Sequence, residues 1–212
     1  MSIRVLSNIF EGTQSPVAFV GCVDSVVANN TIIDPGKWLL RILQETSSTG
    51  DYDFYPSSNN EFKNNLLYYH LGQLSTYVNI GPNTAPETFT FSNNLWYAHD
   101  NPSASTPSLP VVETDGIYGI DPLLADPAGR DYQITSDSPA FQAGLSPPLV
   151  AGDVVGTCYH DPPSIGAYEV PPNCTVDSND DGDVDGEDLA DFVLDFSADC
   201  LDDFALEFGI LF

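Results

Sequence analysis

The sequence predicts an all-β chain wound as a parallel β-helix, with a small helical module at its C-terminal end. Three observations lead there. A six-residue motif occurs four times with matching polar and apolar columns. Strand-like segments punctuated by Gly and Pro separate the copies. The last 42 residues carry 13 Asp or Glu and no Lys or Arg. The expected division is a β-helix over 1–170 and an acidic module over 171–212.

The copies are Val5-Leu6-Ser7-Asn8-Ile9-Phe10, Val27-Ala28-Asn29-Asn30-Thr31-Ile32, Phe62-Lys63-Asn64-Asn65-Leu66-Leu67 and Phe91-Ser92-Asn93-Asn94-Leu95-Trp96. Aligned on the last Asn of each, Val5, Val27, Phe62 and Phe91 stand three positions before it. Phe10, Ile32, Leu67 and Trp96 stand two positions after it. Two apolar columns around a polar one suit units that stack on each other. β-Branched and aromatic residues with polar ones between them favour strands over helices. The spacings of the column Asn are 22, 35 and 29. The shortest fits one turn of a β-helix, and the longer two leave room for outward loops. Asn tolerates the left-handed backbone that a corner needs. Strands stack about 4.8 Å apart, so Asn at equivalent corners bond to each other up the stack. The competing reading is a coincidental repeat in an Asn-rich β-sandwich. On this motif the chain resembles the right-handed parallel β-helix proteins of the pectate-lyase-like superfamily.

Charge narrows the partners. The chain has 31 acidic residues against five basic ones, Arg4, Lys37, Arg41, Lys63 and Arg130, for a net charge of -26. Phosphate binding needs clustered Lys and Arg, so nucleic acid and anionic membranes are not expected partners. Divalent cations suit such a balance. No apolar run approaches the length of a membrane span, so no membrane insertion is expected. Met1 leads straight into the first copy without a signal peptide, and nothing caps that copy. The expectation is the C-terminal part of a longer secreted protein, extracellular or on a cell surface, or an open end covered by a partner copy.

Between copies, Lys37-Trp38-Leu39-Leu40-Arg41 and Ser75-Thr76-Tyr77-Val78-Asn79-Ile80 read as strands, Asp51 to Pro56 as an outer loop, and Gly81 to Pro86 as a break. Residues 99–120, with Pro102, Pro107 and Pro110, read as an irregular crossing. Then come Asp121-Pro122-Leu123-Leu124-Ala125-Asp126-Pro127, Asp131-Tyr132-Gln133-Ile134, Ser138-Pro139-Ala140, Ala143-Gly144, Asp153-Val154-Val155-Gly156 and Ile165-Gly166-Ala167-Tyr168-Glu169. This order resembles the closing segment of secreted bacterial β-helix proteins. It implies an Asp-Pro strand, a Ser-Pro-Ala turn and a final Gly-Ala-Tyr-Glu strand that finish the helix. Pro and Gly there would cap the exposed edge against further strands. The resemblance says nothing about chemistry.

Asp177 to Asp188 is the sharpest chemical signal. An EF-hand-type loop supplies calcium with oxygens from positions 1, 3, 5, 7, 9 and 12. Here these are Asp177, Asn179, Asp181, the Asp183 carbonyl, Asp185 and Asp188, with Gly182 at the sharp turn. Asp at position 12 with Val184 at position 8 resembles the loop of a type I dockerin, implying calcium as cofactor. A dockerin carries two such loops and this chain has one, which counts against a cohesin-like partner. Seven carboxylates in twelve residues repel each other, so the module is expected to order only with the ion bound. Leu189, Phe192, Val193 and Phe196, then Leu201, Phe204, Ala205 and Phe208, have helical spacing. Of four cysteines, Cys22, Cys158, Cys174 and Cys200, none forms a CxxC pair, so zinc is not expected. Cys174 and Cys200 bracket the module, and a disulfide is expected between them.

Three and five positions after the column Asn, the third and fourth copies carry Tyr68 and His70, and Tyr97 and His99, with Asp100 beside them. Such rings stack against sugars, and His with Asp moves protons. Equally, stacked aromatics serve only to stabilise the strands. The superfamily's lyases use a calcium-lined groove with an Arg or Lys base, and its hydrolases use grouped Asp. No motif around Lys37, Arg41 or Lys63 matches, so no catalytic residue is assigned. The expected function is a non-catalytic surface or carbohydrate-binding segment. The alternative is a fragment of a polysaccharide lyase or glycoside hydrolase acting on extracellular polysaccharide.

Overall fold

Each copy of the motif folds as two short strands meeting at a sharp corner, and in the first three copies a third strand follows. The computed structural model describes residues 2–146, 148–171 and 186–194. The chain divides into two units, Met1–Val170 and Pro171–Phe212. In the first, β1 (Arg4–Leu6), β2 (Ile9–Glu11) and β3 (Val17–Val20) are followed by β4 (Val26–Ala28), β5 (Thr31–Ile33) and β6 (Trp38–Leu43). A small hairpin, β7 (Ser48–Thr49) and β8 (Tyr52–Asp53), precedes β9 (Glu61–Lys63), β10 (Leu66–Tyr69) and β11 (Thr76–Ile80). Then come β12 (Thr90–Ser92), β13 (Leu95–Ala98) and β14 (Ile117–Tyr118).

Successive strands visit three sheets in turn. The first sheet runs β1-β4-β9-β12, the second β2-β5-β10-β13-β14 and the third β3-β6-β11. Every pairing in these sheets is parallel. The antiparallel β7–β8 hairpin accounts for the 35-residue spacing and carries the exposed Tyr52. The two apolar columns line up strand on strand and turn into one core, joined by Phe19, Leu40 and Ile42 of the third sheet. Each large side chain buried there contributes about 1.5–3 kcal/mol relative to exposure.

The corner is made one residue earlier than the sequence suggested. Ser7, Asn29, Asn64, Asn93 and Asp115 have φ of 52°, 52°, 54°, 51° and 51°. Three copies carry Asn at both positions, which hid the division of labour. The first Asn takes the left-handed bend. The second turns its amide inward beneath it and builds a ladder. The N–H and Nδ2 of Asn8 donate to Asn30 Oδ1, both at 3.0 Å. Asn30 donates in the same way to Asn65 Oδ1, at 3.1 and 2.9 Å, and Asn65 to Asn94 Oδ1, at 2.9 and 3.0 Å. Asn30, Asn65 and Asn94 are fully buried, so these bonds meet a polar demand that would otherwise oppose folding.

The ladder ends on a fifth copy, which lies within the stretch expected to be an irregular crossing. Glu113-Thr114-Asp115-Gly116-Ile117-Tyr118 pairs Thr114 with Ser92, Ile117 with Leu95 and Tyr118 with Trp96. Gly replaces the column Asn, and a Cβ at Gly116 would collide with the Tyr118 hydroxyl and the Glu113 carboxylate. Glu113 accepts instead from the Asn94 N–H and Nδ2, from Trp96 Nε1 and from the Tyr118 hydroxyl. The stretch before it covers this end of the core: Leu109 and Val111 pack against the core, and Ser105 accepts from the Tyr69 hydroxyl. At the other end the core opens into an apolar cavity of about 340 Å³ lined by Val5, Phe10, Val17, Phe19, Cys22 and Val27.

Residues 121–170 do not cap an edge, contrary to the expectation from their order. They lie along the outer face of the second sheet, where Leu124, Tyr132, Ile134 and Ile165 pack against Ile33, Leu66, Leu95 and Tyr97. The expected Asp-Pro and Gly-Ala-Tyr-Glu strands are absent among the described residues; only the bridges Asp126–Asp131 and Gly152–Cys158 form. The corner residues hold this cover. Asn29 Nδ2 donates to the Ser164 carbonyl, Asn93 Nδ2 to that of Ala143, and Asn64 Oδ1 accepts from the Leu145 N–H. The outer face of this sheet is itself apolar, so a layer over it removes more surface from water than an edge cap could.

In the second unit, helix α1 spans Gly186–Leu194. Leu189 and Val193 on it are exposed. The second expected helix and the Cys174–Cys200 disulfide lie outside the described residues. No described helix is long and apolar enough to cross a membrane.

Candidate functional site

The parallel register of β10 and β13 sets Tyr68 beside Tyr97, and Tyr68 beside Ile33 of β5. The two histidines follow at the ends of these strands, so the sequence alignment brings His70 and His99 to neighbouring positions. Their rings meet edge to face at 5.5 Å, and those of Tyr68 and Tyr97 are tilted at 5.7 Å. The tightest contact is diagonal. His99 lies flat on Tyr68 with centroids 4.6 Å apart and planes at 18°.

That stacking lets His99 reach across one whole copy. Its Nε2 is 2.9 Å from Asp34 Oδ1, so residues of the second, third and fourth copies meet in one contact. His70 Nδ1 lies 3.2 Å from Asp100 Oδ2, though its geometry falls short of a hydrogen bond. Asp100 accepts from the N–H groups of Leu71 and Gly72 at 2.6 and 3.0 Å. Burial pushes its carboxyl upward, but these donors, its own N–H and the nearby His70 outweigh that and hold it below the ordinary range. Tyr68 and Tyr97 are both held above the usual tyrosine range, first by burial and then by the Asp121 carboxylate.

One candidate needs correction. Tyr97 is only 9% exposed and packs in the same apolar cluster as Leu124 and Ile134, with its hydroxyl donating to Asp121 Oδ2 at 3.2 Å. It offers no ring face to a sugar, because residues 121–134 occupy it. Tyr68 is partly covered by His99. The accessible part of the patch is therefore polar: the side chains of His70 and Asp34 are each 41% exposed, and those of His99 and Asp100 each 25%. Asp34 and Asp121 were missed by the sequence reading. Asp34 lies in a copy without the Tyr and His positions, and Asp121 lies outside the repeat, so no column pointed to either.

Of the six calcium-ligand candidates, Asp177, Asn179, Asp181, Asp183 and Asp185 lie outside the described residues. Asp188 lies in the first turn of α1 and is buried. The donor set is all oxygen, which fits a hard cation such as calcium rather than a soft metal. Among the described residues no group of three or more His, Cys, Asp or Glu is arranged to hold a metal.

No protein-family model matches the chain, and no curated protein matches it in sequence.

Proposed function

We propose that the first unit is a segment of a right-handed parallel β-helix from a secreted protein, serving as a non-catalytic surface that holds extracellular polysaccharide. The second unit, in the same reading, is a dockerin-like module that binds one calcium ion through the loop ending at Asp188. The ordered visits to three parallel sheets and the inward amide ladder support the β-helix. The observation that carries the binding role is the Asp34–His99 contact laid over Tyr68. It fixes a polar rim across three copies, with carboxylates and imidazoles exposed at its edge. Sugar hydroxyls bond well to such charged groups.

In this reading the patch holds its ligand rather than turning it over. His99 is engaged by Asp34, and Asp100 by two backbone N–H groups, so each acts as a fixed partner for a bound hydroxyl. A glycan array read with and without calcium tests the reading, together with an absorbance assay for unsaturated sugar product. Binding without product is the expected result, and His70→Ala with His99→Ala should abolish it. Formation of unsaturated product would make the chain a lyase instead.

A further inference from the structure

A notch opens where the ends of β3 and β6 meet the β7–β8 hairpin. It holds about 340 Å³ and is lined by Val20, Gly21, Gln44, Glu45, Thr46 and Phe54. Val20 lies opposite Leu43 in the register, so the residues that follow them, Gly21 and Gln44, come together at one corner. The Phe54 N–H donates to the Ser47 carbonyl at 2.9 Å, which brings the hairpin back to the same corner. Val20 and Phe54 are both exposed and give the notch apolar walls.

Gln44 is only 4% exposed, yet half of its amide is unsatisfied. Its Nε2 donates to the Thr46 carbonyl at 2.9 Å. Turning the amide over would set its oxygen against that carbonyl, acceptor to acceptor, so its orientation is fixed. Oε1 is thereby left buried without a donor. It faces Gly21, where a Cβ would stand 3.1 Å from it. Gly21, at φ 59°, takes a left-handed turn and keeps that side of the oxygen clear of a side chain. An acceptor buried without a donor opposes folding, and a ligand that brings one recovers the loss. Glu45 adds an exposed carboxylate, which no ion pair engages among the described residues.

We propose that this notch binds a primary alkylammonium group, the end of a free diamine or the side chain of a lysine. An ammonium has only N–H donors, so one meets Gln44 Oε1 while another meets Glu45. Its alkyl stem lies along Val20 and Phe54, and the ring of Phe54 attracts the cation. The net charge of -26 draws cations toward the chain and repels anions. A bare metal ion does not suit apolar walls, because calcium asks for about six to eight oxygens. A quaternary ammonium brings charge without N–H groups and leaves Gln44 unsatisfied. The notch uses no residue of the His70 and His99 patch and does not rest on glycan binding.

Nuclear magnetic resonance titration of the isotope-labelled full chain reads the site directly. The probes are cadaverine and Nα-acetyl-lysine amide, with tetramethylammonium as the control that lacks donors. Both amines should shift the Gln44 side-chain and Gly21 signals saturably, in moderate salt that screens loose attraction to the acidic surface. The tighter of the two identifies the source, a free diamine or a lysine side chain. Gln44→Met keeps the size and removes the acceptor, and should weaken binding about tenfold or more. Glu45→Gln should weaken it severalfold, as expected for an exposed charge pair. Circular dichroism checks that both variants are folded, and the exposed Glu45 keeps the test open if Gln44→Met is not. Amines that leave the Gln44 and Gly21 signals unmoved would overturn the site. So would tetramethylammonium shifting them with equal affinity, or unchanged binding by folded Gln44→Met, since the attraction would then be charge alone.

Discussion

Asn94 donates from Nδ2 to Glu113 Oε1 at 2.7 Å, and this contact ends the amide ladder on a carboxylate. An amide accepts from one neighbour and donates to the next, whereas an ionised carboxylate only accepts. Glu113→Ala would strand the donors of Asn94, Trp96 and Tyr118 in the interior. Each stranded group costs about 1–3 kcal/mol, so a loss of roughly 3 kcal/mol or more is expected by urea denaturation. Glu113→Gln keeps one acceptor oxygen and should cost less.

The pH dependence of Glu113 has a definite sign. Burial raises its carboxyl above the ordinary 4.5, more than the bonds from Tyr118, Asn94 and Trp96 lower it. A raised folded-state value means that its contribution is most favourable below 4.5 and declines as pH rises through the folded value. The difference in stability between the native chain and Glu113→Gln should therefore change across that window and be flat above it. A difference that is constant throughout would contradict the raised value.

Asp100 should behave in the opposite way. Its folded value lies below the ordinary 3.8, so its contribution is complete above 3.8 and is lost as pH falls further. Asp100→Asn should remove that acid-sensitive step. Chemical-shift titration of the Asp100 carboxyl would measure it directly.

The two Asn of one corner should respond differently to mutation. Asn65 donates to the Val27 and Lys63 carbonyls and to Asn94, and accepts from Asn30. Asn65→Ala should cost on the order of 3 kcal/mol, several buried partners being lost at once. Asn64→Gly keeps the left-handed backbone at φ 54° and loses chiefly the bonds to Leu145, a cost of about 1 kcal/mol. Thermal melts of the pair should rank them in that order; equal melts would mean that the ladder contributes little.

Calcium removal tests the second unit. Chelation of the full chain should reduce helical circular dichroism, and Asp181→Ala should abolish calcium uptake in a calorimetric titration. A helical signal that survives chelation would separate the module's order from the ion.

Much of the strand pattern could be read without coordinates, because a column of Phe or Trp recurring at each copy makes sense only if the copies pack on one another. The same columns placed Tyr68, His70, Tyr97 and His99 together. The fifth copy escaped notice because Gly116 breaks the Asn column and Glu113 replaces Phe. Only the geometry shows that these two changes compensate each other. Asp34 and Asp121 escaped because they reach the patch through space rather than through the repeat.

Read alone, the sequence determined the paired strands of the four Asn-bearing copies, their alternation of buried and polar positions, and the scarcity of positive charge. Those are local or compositional properties, set by side-chain size and charge at each position. Only the tertiary structure decided which Asn of each pair bends the chain and which builds the ladder, since both are compatible with either role. It also decided that residues 121–170 cover a face rather than an edge, and that Tyr97 lies beneath them. Both outcomes depend on burying the apolar outer face of the second sheet against distant residues, which no local pattern encodes.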